Sequence, residues 1–202
     1  MNETMKTDIN NKNEERQSRT ICEWATFHEL FLPYHDEEWG DEQHDDRMLF
    51  EMLCLEGAQA GVSWLLVLKK RVRYKELFHD FDPEKIVAMS DEELESCLQD
   101  PGIIRNRLKV YGVRKNAEAF LKVTKEFGTF DRYIWQFVGG KPIRNSWATQ
   151  RDVPTSTAES DAMAKDLKKR GFKFVGTTIC YSYMQAVGMV NDHTQDCWKH
   201  GK

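Results

Sequence analysis

Apolar side chains recur at helical spacing along most of this chain. Met48, Leu49, Met52, Leu53 and Leu55 share one face, and Trp64, Leu65, Val67, Leu68, Val72, Leu77 and Phe78 follow a similar spacing in the next segment. This pattern predicts two successive amphipathic helices. Asp82-Pro83 supplies an N-cap and a first-turn proline for another helix, and Ser90 with Glu93 makes a capping box for the one after it. A long amphipathic run from about Arg105 to Phe127 stops at Gly128, whose freedom at positive φ suits a helix C-cap. Tyr133 to Val138 reads as a short helix ended by Gly139-Gly140, and Thr155 or Ser156 begins one that ends at Gly171. Thr177 to Met189 is apolar nearly throughout, as a central buried helix would be. Strand signals are few and isolated, and Gly139 to Pro154 is the best loop candidate. The predicted fold class is all-α, without an internal repeat.

Composition adds boundaries. Residues Met1 to Arg19 carry charges of alternating sign and almost nothing apolar, so residues 1–19 are expected to form a flexible polar tail before a single domain over 20–202. The start lacks the continuous apolar stretch of a signal peptide, and no run approaches the ~20 apolar residues of a membrane span. Five cysteines are an odd number without dense spacing, which argues against a disulfide framework and for a reducing, cytoplasmic compartment. Cys54, Cys97 and Cys180 sit among apolar neighbours as core residues do, whereas Cys22 and Cys197 need another explanation.

A formal charge of -4 gives no global attraction to nucleic acid. The local distribution differs, because bases outnumber acids between Arg105 and Lys125, with further bases at Lys69 to Arg73 and Lys168 to Lys173. Acids gather at Asp36 to Asp46 instead, so the surface is expected to be electrically two-sided, unless these charges simply solvate helix faces.

The unexplained cysteines each stand near a histidine. Cys22 is followed after 12 intervening residues by His35, and His193 after 3 by Cys197, at opposite ends of the ordered chain. Both spacings suit zinc, and four protein ligands would fill a tetrahedron with no place for a catalytic water. Such a site would be structural and would join the ends of the domain. Each pair alone is more often core or surface filler, and it is the two pairs together that bring zinc level with that reading; His28 and His200 compete as ligands.

Leu55-Glu56-Gly57-Ala58-Gln59-Ala60-Gly61-Val62-Ser63-Trp64 sets one carboxylate among small and apolar residues. A buried Glu there would titrate upward, find a donor, or await a cationic ligand, and the small neighbours leave room for a pocket wall. A solvent-facing Glu at a helix end fits the periodicity equally well. Trp24, Phe31, Tyr34 and Trp39 add flat faces in the same third of the chain, which serve a core or grip a base extruded from DNA. Asp100-Pro101-Gly102-Ile103-Ile104 is a tight turn ahead of a basic helix. It is either a plain αα-corner or an arrangement that offers backbone N–H groups to a phosphate.

These residues together resemble a known family, the bacterial DNA-3-methyladenine glycosylases I. The resemblance rests on Cys22-Glu23-Trp24, Tyr34-His35-Asp36, Glu38-Trp39-Gly40, Leu55-Glu56-Gly57 through Gly61-Val62-Ser63-Trp64, Gly102-Ile103-Ile104-Arg105, Gly171 through Thr178, and Val190-Asn191-Asp192-His193. It implies a helix-hairpin-helix DNA glycosylase fold, with one structural zinc per chain on Cys22, His35, His193 and Cys197 joining the N- and C-terminal segments. It further implies that Pro101, Gly102, Ile103, Ile104 and Arg105 grip DNA, that Glu56 is the catalytic pocket carboxylate, that Trp64 stacks on the flipped base, and that Tyr34 and Trp39 line the pocket. Phe31 stands where the best-known family members carry a tyrosine, so only its ring can contribute. The implied activity is hydrolysis of the N-glycosidic bond in double-stranded DNA containing alkylated purines, releasing 3-methyladenine without strand cleavage. No membrane or obligate protein partner is implied. The catalytic aspartate of other helix-hairpin-helix glycosylases is expected to be missing, with nothing marking Asp131 or Asp152 as its replacement. The rival readings are a non-catalytic, zinc-stapled module that binds damaged DNA, a hydrolase using the zinc directly, and a glycosylase of wider specificity that includes 3-methylguanine.

Overall fold

The computed structural model describes residues 19–202, so the tail expected over 1–19 lies outside the described residues except for Arg19. Among those residues the fold is helical: α1 (Phe31–Glu37), α2 (Asp46–Gln59), α3 (Trp64–Leu77), α4 (Pro83–Ala88), α5 (Asp91–Cys97), α6 (Arg107–Phe127), α7 (Phe130–Trp135), α8 (Ala158–Lys169) and α9 (Thr177–Ala186). Helix α2 is the axis of the arrangement, packed by α3, α6, α7 and α9. Every residue from Leu49 to Ala58 is buried, including Glu51, on the face opposite Leu49 and Leu53, and Glu56, on the same face as Leu49, Met52 and Leu53. Glu51 is neutralised there by Arg71, whose Nε donates to it at 2.7 Å while Nη1 reaches Glu38 at 2.7 Å. Glu56 has no such partner.

Local signals set most helix starts. Asp82 accepts from the N–H groups of Glu84 and Lys85 with Pro83 at the first position, and Ser90 and Glu93 complete their capping box. Two starts lie later than expected. Helix α6 begins at Arg107 because the Asn106 side chain accepts from the N–H of Lys109, and it ends at Gly128 with φ of 90°. Helix α8 begins at Ala158, capped by Thr157 rather than by Thr155 or Ser156. Thr157 and Ser160 cap each other, and buried Ser160 also bonds Thr177 of α9 at 3.0 Å, so a tertiary contact selects the register. The helix expected over Tyr133 to Val138 is α7 followed by a 3-10 turn, Gln136–Val138.

The fold is mostly helical, as the periodicity predicts, with one local addition. Residues 139–154 are not only loop: β1 (Ile143–Arg144) pairs in parallel with β2 (Val190–Asn191) in the register Ile143 to Val190. Two residues carry no readable alternation, so this pairing is invisible in the sequence. It draws the 139–154 segment against the C-terminal end of the chain.

The core is aromatic. Phe50 lies 4.9 Å from Phe120, which lies 4.7 Å from Phe130, joining α2, α6 and α7 by ring centroids. Each such ring contributes roughly 1.5–3 kcal/mol by leaving water. Cys54, Cys97 and Cys180 are buried in this core, as their neighbours suggest. No described helix is long and apolar enough to cross a membrane.

Candidate functional site

The two ends of the domain meet at four side chains. Cys22 precedes a 3-10 turn, His35 lies in the last turn of α1, His193 follows β2, and Cys197 closes a turn onto Thr194. Their donor atoms lie within 4.8 Å of one another and all four residues are buried. Cys22 Sγ and Cys197 Sγ each stand 3.5 Å from His193 Nδ1, and Cys197 Sγ is 3.4 Å from His35 Nε2. A tetrahedral metal with metal–sulfur bonds of about 2.3 Å and metal–nitrogen bonds of about 2.0–2.1 Å has sulfur–nitrogen edges of about 3.5 Å. The outward ring nitrogens are already used: His35 Nδ1 bonds the Asp36 carboxylate at 2.9 Å, and His193 Nε2 bonds the Trp39 carbonyl at 3.0 Å. These bonds fix the rings with the inward nitrogens turned to the sulfurs, which is how metal-ligating imidazoles are held. The hydrogen bond shared by the thiols holds the Cys22 proton and pulls Cys197 below the usual thiol range. The donor set therefore fits a divalent, thiophilic cation. His28 instead accepts from the N–H of Leu30, and His200 bonds the His193 carbonyl, so neither competing histidine belongs to the cluster.

Packing around the cluster is close. Gly40 has φ of +82°, and a Cβ there would meet His193 Nε2 at 2.7 Å, so only glycine fits. Lys199 buries its ammonium against the carbonyls of His35, Asp36 and Trp39 at 3.2–3.3 Å and pairs with Asp41 at 2.8 Å. That contact satisfies the end of α1 and ties the C-terminal segment to it.

A cavity of about 170 Å³ adjoins the cluster, lined by Trp24, Tyr34, Trp39, Glu56, Gln59, Trp64, Gln150, Ser182 and Gln185. Trp24 and Trp39 form a wall common to both regions. Their rings lie 5.0 Å apart, Trp39 is 4.6 Å from the His193 ring, and Trp24 is 5.5 Å from that of His35. Tyr34 and Trp64 approach to 5.3 Å.

Glu56 enters from the last turn of α2 and is 3% exposed, which excludes the solvent-facing alternative. Burial raises its carboxyl from 4.5 to about 8, and the C-terminal end of a helix is an unfavourable place for a negative charge. Burial, then the nearby Glu56 and Glu38 charges, raise the Tyr34 hydroxyl well above its ordinary value. Four polar atoms around the cavity are buried without a partner: Trp24 Nε1, Trp64 Nε1, Glu56 Oε2 and Gln150 Oε1. Only one other described side-chain atom shares that condition, the Tyr183 hydroxyl. Buried polar groups are nearly always bonded, so this concentration marks a place for a ligand.

The structure brings Glu56, Trp64, Tyr34 and Trp39 together and leaves Phe31 behind them. Phe31 packs edge-on against Trp24 at 5.7 Å and is not among the residues that line the cavity. Gly57 is reassigned. A Cβ there would meet Phe174 at 3.1 Å, and Gly112 faces the same ring, so Gly57 serves helix packing rather than the pocket wall. Gly61 turns the chain at φ of +77° between α2 and α3, where Ser63 caps the helix that Trp64 begins. Asp131 bonds His44 at 2.7 Å and Asp152 caps Thr149, so neither takes the position of a pocket acid. Sequence reading missed Trp24 as a lining residue, with Gln59, Gln150, Ser182 and Gln185. Polar glutamines and a serine in separate segments carry no periodic signal; Trp24 was visible only as one more aromatic.

The turn at Asp100 to Arg105 is held from beneath. Arg73 Nε donates to Asp100 at 2.8 Å, Lys70 reaches the Pro101 carbonyl, and the buried Ile103 anchors the turn in the core. The N–H groups of Gly102 and Ile104 are bonded to Asp100 and to the Tyr74 hydroxyl, at 2.6 and 3.2 Å. The expectation that the turn itself offers them to a phosphate is therefore corrected, and Pro101, Arg105 and the start of α6 form its exposed edge. Lys109, one turn into α6, buries its ammonium on the carbonyls of Ala58 and Ala60 at 2.8 and 2.5 Å, which caps α2 below Glu56. Part of the expected basic face is spent internally, since Arg107 pairs with Glu95 and Arg114 with Asp91.

Comparison with known proteins agrees with this arrangement. The family model described as methyladenine glycosylase matches residues 24–200. The chain is 51% identical to DNA-3-methyladenine glycosylase 1 of Escherichia coli K12, over 87% of this chain and 94% of that one. It is 48% identical to DNA-3-methyladenine glycosylase of Haemophilus influenzae Rd, over 88% and 96%. A crystal structure of 3-methyladenine DNA glycosylase I superposes with a TM-score of 0.87 at 52% identity, covering 90% of this chain and 100% of that one. The Staphylococcus aureus 3-methyladenine DNA glycosylase I, solved for its recognition of 3-methyladenine, gives 0.87 at 35% identity over 90% and 96%. With a buried, unpaired carboxylate facing an aromatic cavity in that same fold, the chain belongs to the methyladenine glycosylase family.

Proposed function

We propose that this protein is a DNA-3-methyladenine glycosylase, which hydrolyses the bond between an alkylated purine and its sugar in duplex DNA. The observation that carries the reading is Glu56, a buried carboxylate without a protein partner in a cavity walled by tryptophans. Adenine methylated at N3 in DNA is cationic. Its charge supplies the partner that Glu56 lacks, and the rings of Trp64, Tyr34, Trp24 and Trp39 favour a flat cation over neutral adenine. Extrusion costs least for a damaged base, which adds to the selection.

The bond is already weakened by the positive charge, and the base departs neutral, so little acid catalysis is needed. Glu56 holds the base as the sugar carbon develops oxocarbenium character, and water attacks that carbon. A lysine nucleophile is not required. Lys109, whose ammonium burial destabilises, is engaged as the cap of α2 and does not line this cavity. The product is an abasic site in an unbroken strand. Arg105, Pro101 and the start of α6 are the groups we assign to the DNA backbone. Zinc is the ion we assign to Cys22, His35, His193 and Cys197, where it would cross-link the chain ends with all four positions filled.

The test is to incubate methylated duplex DNA with the protein, separate the released bases, and score strand breaks before alkali. Free 3-methyladenine and unbroken strands are expected. A protein that bound such DNA yet released no 3-methyladenine would be a binding module instead.

A further inference from the structure

Phe174, ahead of α9, sits in the left-handed region at φ of 55°, which suits glycine and which an aromatic residue seldom adopts. It lies between two anchors, Phe172 and Val175, both buried in the core. Asn116 of α6, itself buried, holds the Lys173 backbone at both ends. Its amide nitrogen donates to the Lys173 carbonyl at 3.2 Å, and its oxygen accepts from the Lys173 N–H at 2.6 Å, so the backbone dictates which way the amide turns. The side chain that this conformation presents lies where two helices are clear of bulk. A Cβ at Gly112 of α6 would meet the Phe174 ring at 3.3 Å, and one at Gly57 of α2 would meet the Phe174 Cβ at 3.1 Å. Glycine inside a helix lowers stability relative to alanine. A strained aromatic, two helical glycines and a buried amide converge on one side chain, a concentration that plain packing does not require.

The place it fills is next to the pocket acid. Gly57 follows Glu56 in the last turn of α2, and Lys109 holds the carbonyls of Ala58 and Ala60 just beyond. Phe174 covers the flank of that turn. On its inner side is a gap of only about 10 Å³, lined by Cys54, Gly57, Ala58 and Asn116 among others. On its outer side is a groove of about 430 Å³ lined by Leu108, Tyr111, Lys115 and Lys173, with Leu108 fully open to solvent at its edge. Only Phe174 and Gly112 belong to both linings, and Gly112 has no side chain, so the ring is the partition. Without it the groove would run through to the end of α2, and the turn bearing Glu56 would gain both freedom and water. A charge acts on a bound cation most strongly where water is excluded, and a reacting group loses much of its effect when displaced by a fraction of its contact distance. We propose that Phe174 is a positioning residue for the reaction, whose ring bars the groove from the end of α2 and holds Glu56 toward the base. Phe174 does not line the base cavity, so it acts through Glu56. The inference rests on the glycosylase reading and deepens it.

The test compares the wild type with Phe174→Ala, which removes the ring, and Phe174→Tyr, which keeps it. For each protein the release of 3-methyladenine from methylated duplex DNA is timed at saturating protein, the duplex affinity is titrated, and the unfolding midpoint is recorded so that rates refer to folded molecules. Phe174→Leu replaces the alanine variant if that one does not fold. The variant without the ring should release the base about tenfold more slowly and bind the duplex within about twofold of the wild type, while Phe174→Tyr stays within about twofold in both. An unchanged rate per folded molecule would reduce the ring to packing and overturn the inference. A loss confined to duplex affinity, or a tyrosine variant as slow as the one without a ring, would overturn it too. Wild type that releases 3-methyladenine no faster than the variant without the ring defeats only the role of Phe174; wild type that releases none defeats the glycosylase reading as well.

Discussion

The cysteine–histidine cluster and the cavity share the ring wall of Trp24 and Trp39, yet their polar atoms are treated in opposite ways. In the cluster each imidazole has its outer nitrogen bonded, to Asp36 or to the Trp39 carbonyl, and Lys199 satisfies three neighbouring carbonyls. In the cavity Glu56, Gln150, Trp24 and Trp64 each present a buried polar atom with no partner. An unpaired buried group costs roughly 1–3 kcal/mol, so the fold carries a standing penalty on one side of the wall and none on the other. The fully bonded side has the make-up of a structural site. The side left unbonded is where a transient ligand gains most on arrival.

The sharpest test of this contrast is to remove the closed side. Chelation, or Cys197→Ala, should lower stability by about 4 kcal/mol or more, a modest share of what a structural zinc contributes. Thermal unfolding with metal content measured on the same sample checks this. A metal-free protein with an unchanged melting temperature would reduce the cluster to ordinary core. Because Trp24 and Trp39 rest on His35 and His193, the fraction that stays folded keeps its activity only as far as those rings keep their places.

On the open side, Glu56→Gln should slow release of 3-methyladenine by about 100-fold, as expected for loss of a charge-assisted bond. It should also change stability with the opposite sign to an ordinary site mutation. Glu56 titrates near 8 when folded, against about 4.3 in an unfolded chain. Its favourable contribution is fully present below pH about 4 and is lost as pH rises through about 8, amounting to a loss on the order of 4 kcal/mol. Denaturant titrations across that range should show the wild type losing stability relative to Glu56→Gln. Parallel pH profiles for the two proteins would mean that Glu56 is ionised and paired.

The smallest effect is expected where the two sides are joined. Asp192 precedes His193 of the cluster and accepts four donors, from Asn145, Trp147, Tyr181 and Gln185. Asp192→Asn replaces one acceptor oxygen by a donor, and should cost about 2 kcal/mol of stability and weaken 3-methyladenine binding severalfold through the Gln150 segment. Calorimetry and base titration on one preparation would separate the two losses. A stability loss with base affinity intact would show that Asp192 holds the chain but not the cavity wall.

Legibility in the sequence followed the range of the interaction. Asp82-Pro83, Ser90 with Glu93, and Gly128 act within a few residues, and the structure uses each as its chemistry suggests. The four candidate ligands were readable because cysteine and histidine are rare enough for their spacing to stand out. Glu56 and Trp64 were readable as an odd carboxylate beside small residues and an aromatic, and their meaning came from the family resemblance. Gly57 was misread since its neighbour Phe174 is more than a hundred positions away. Gln150, Ser182 and Gln185 left no signal, because an uncharged polar side chain looks alike in a loop, on a surface or in a binding site.

By itself the sequence determined the helices, their caps, the candidate ligands and a carboxylate in a segment that holds nothing basic, all properties that a residue expresses through its own chemistry and its near neighbours. Only the tertiary structure decided which polar atoms would be satisfied. The two-residue β1–β2 pairing and the Asp192 carboxylate bring segments about fifty positions apart to one place, and they set Gln150 across from Glu56's cavity while closing the cluster behind it. Whether a buried group is bonded or left waiting depends on distances between segments, which no single segment contains.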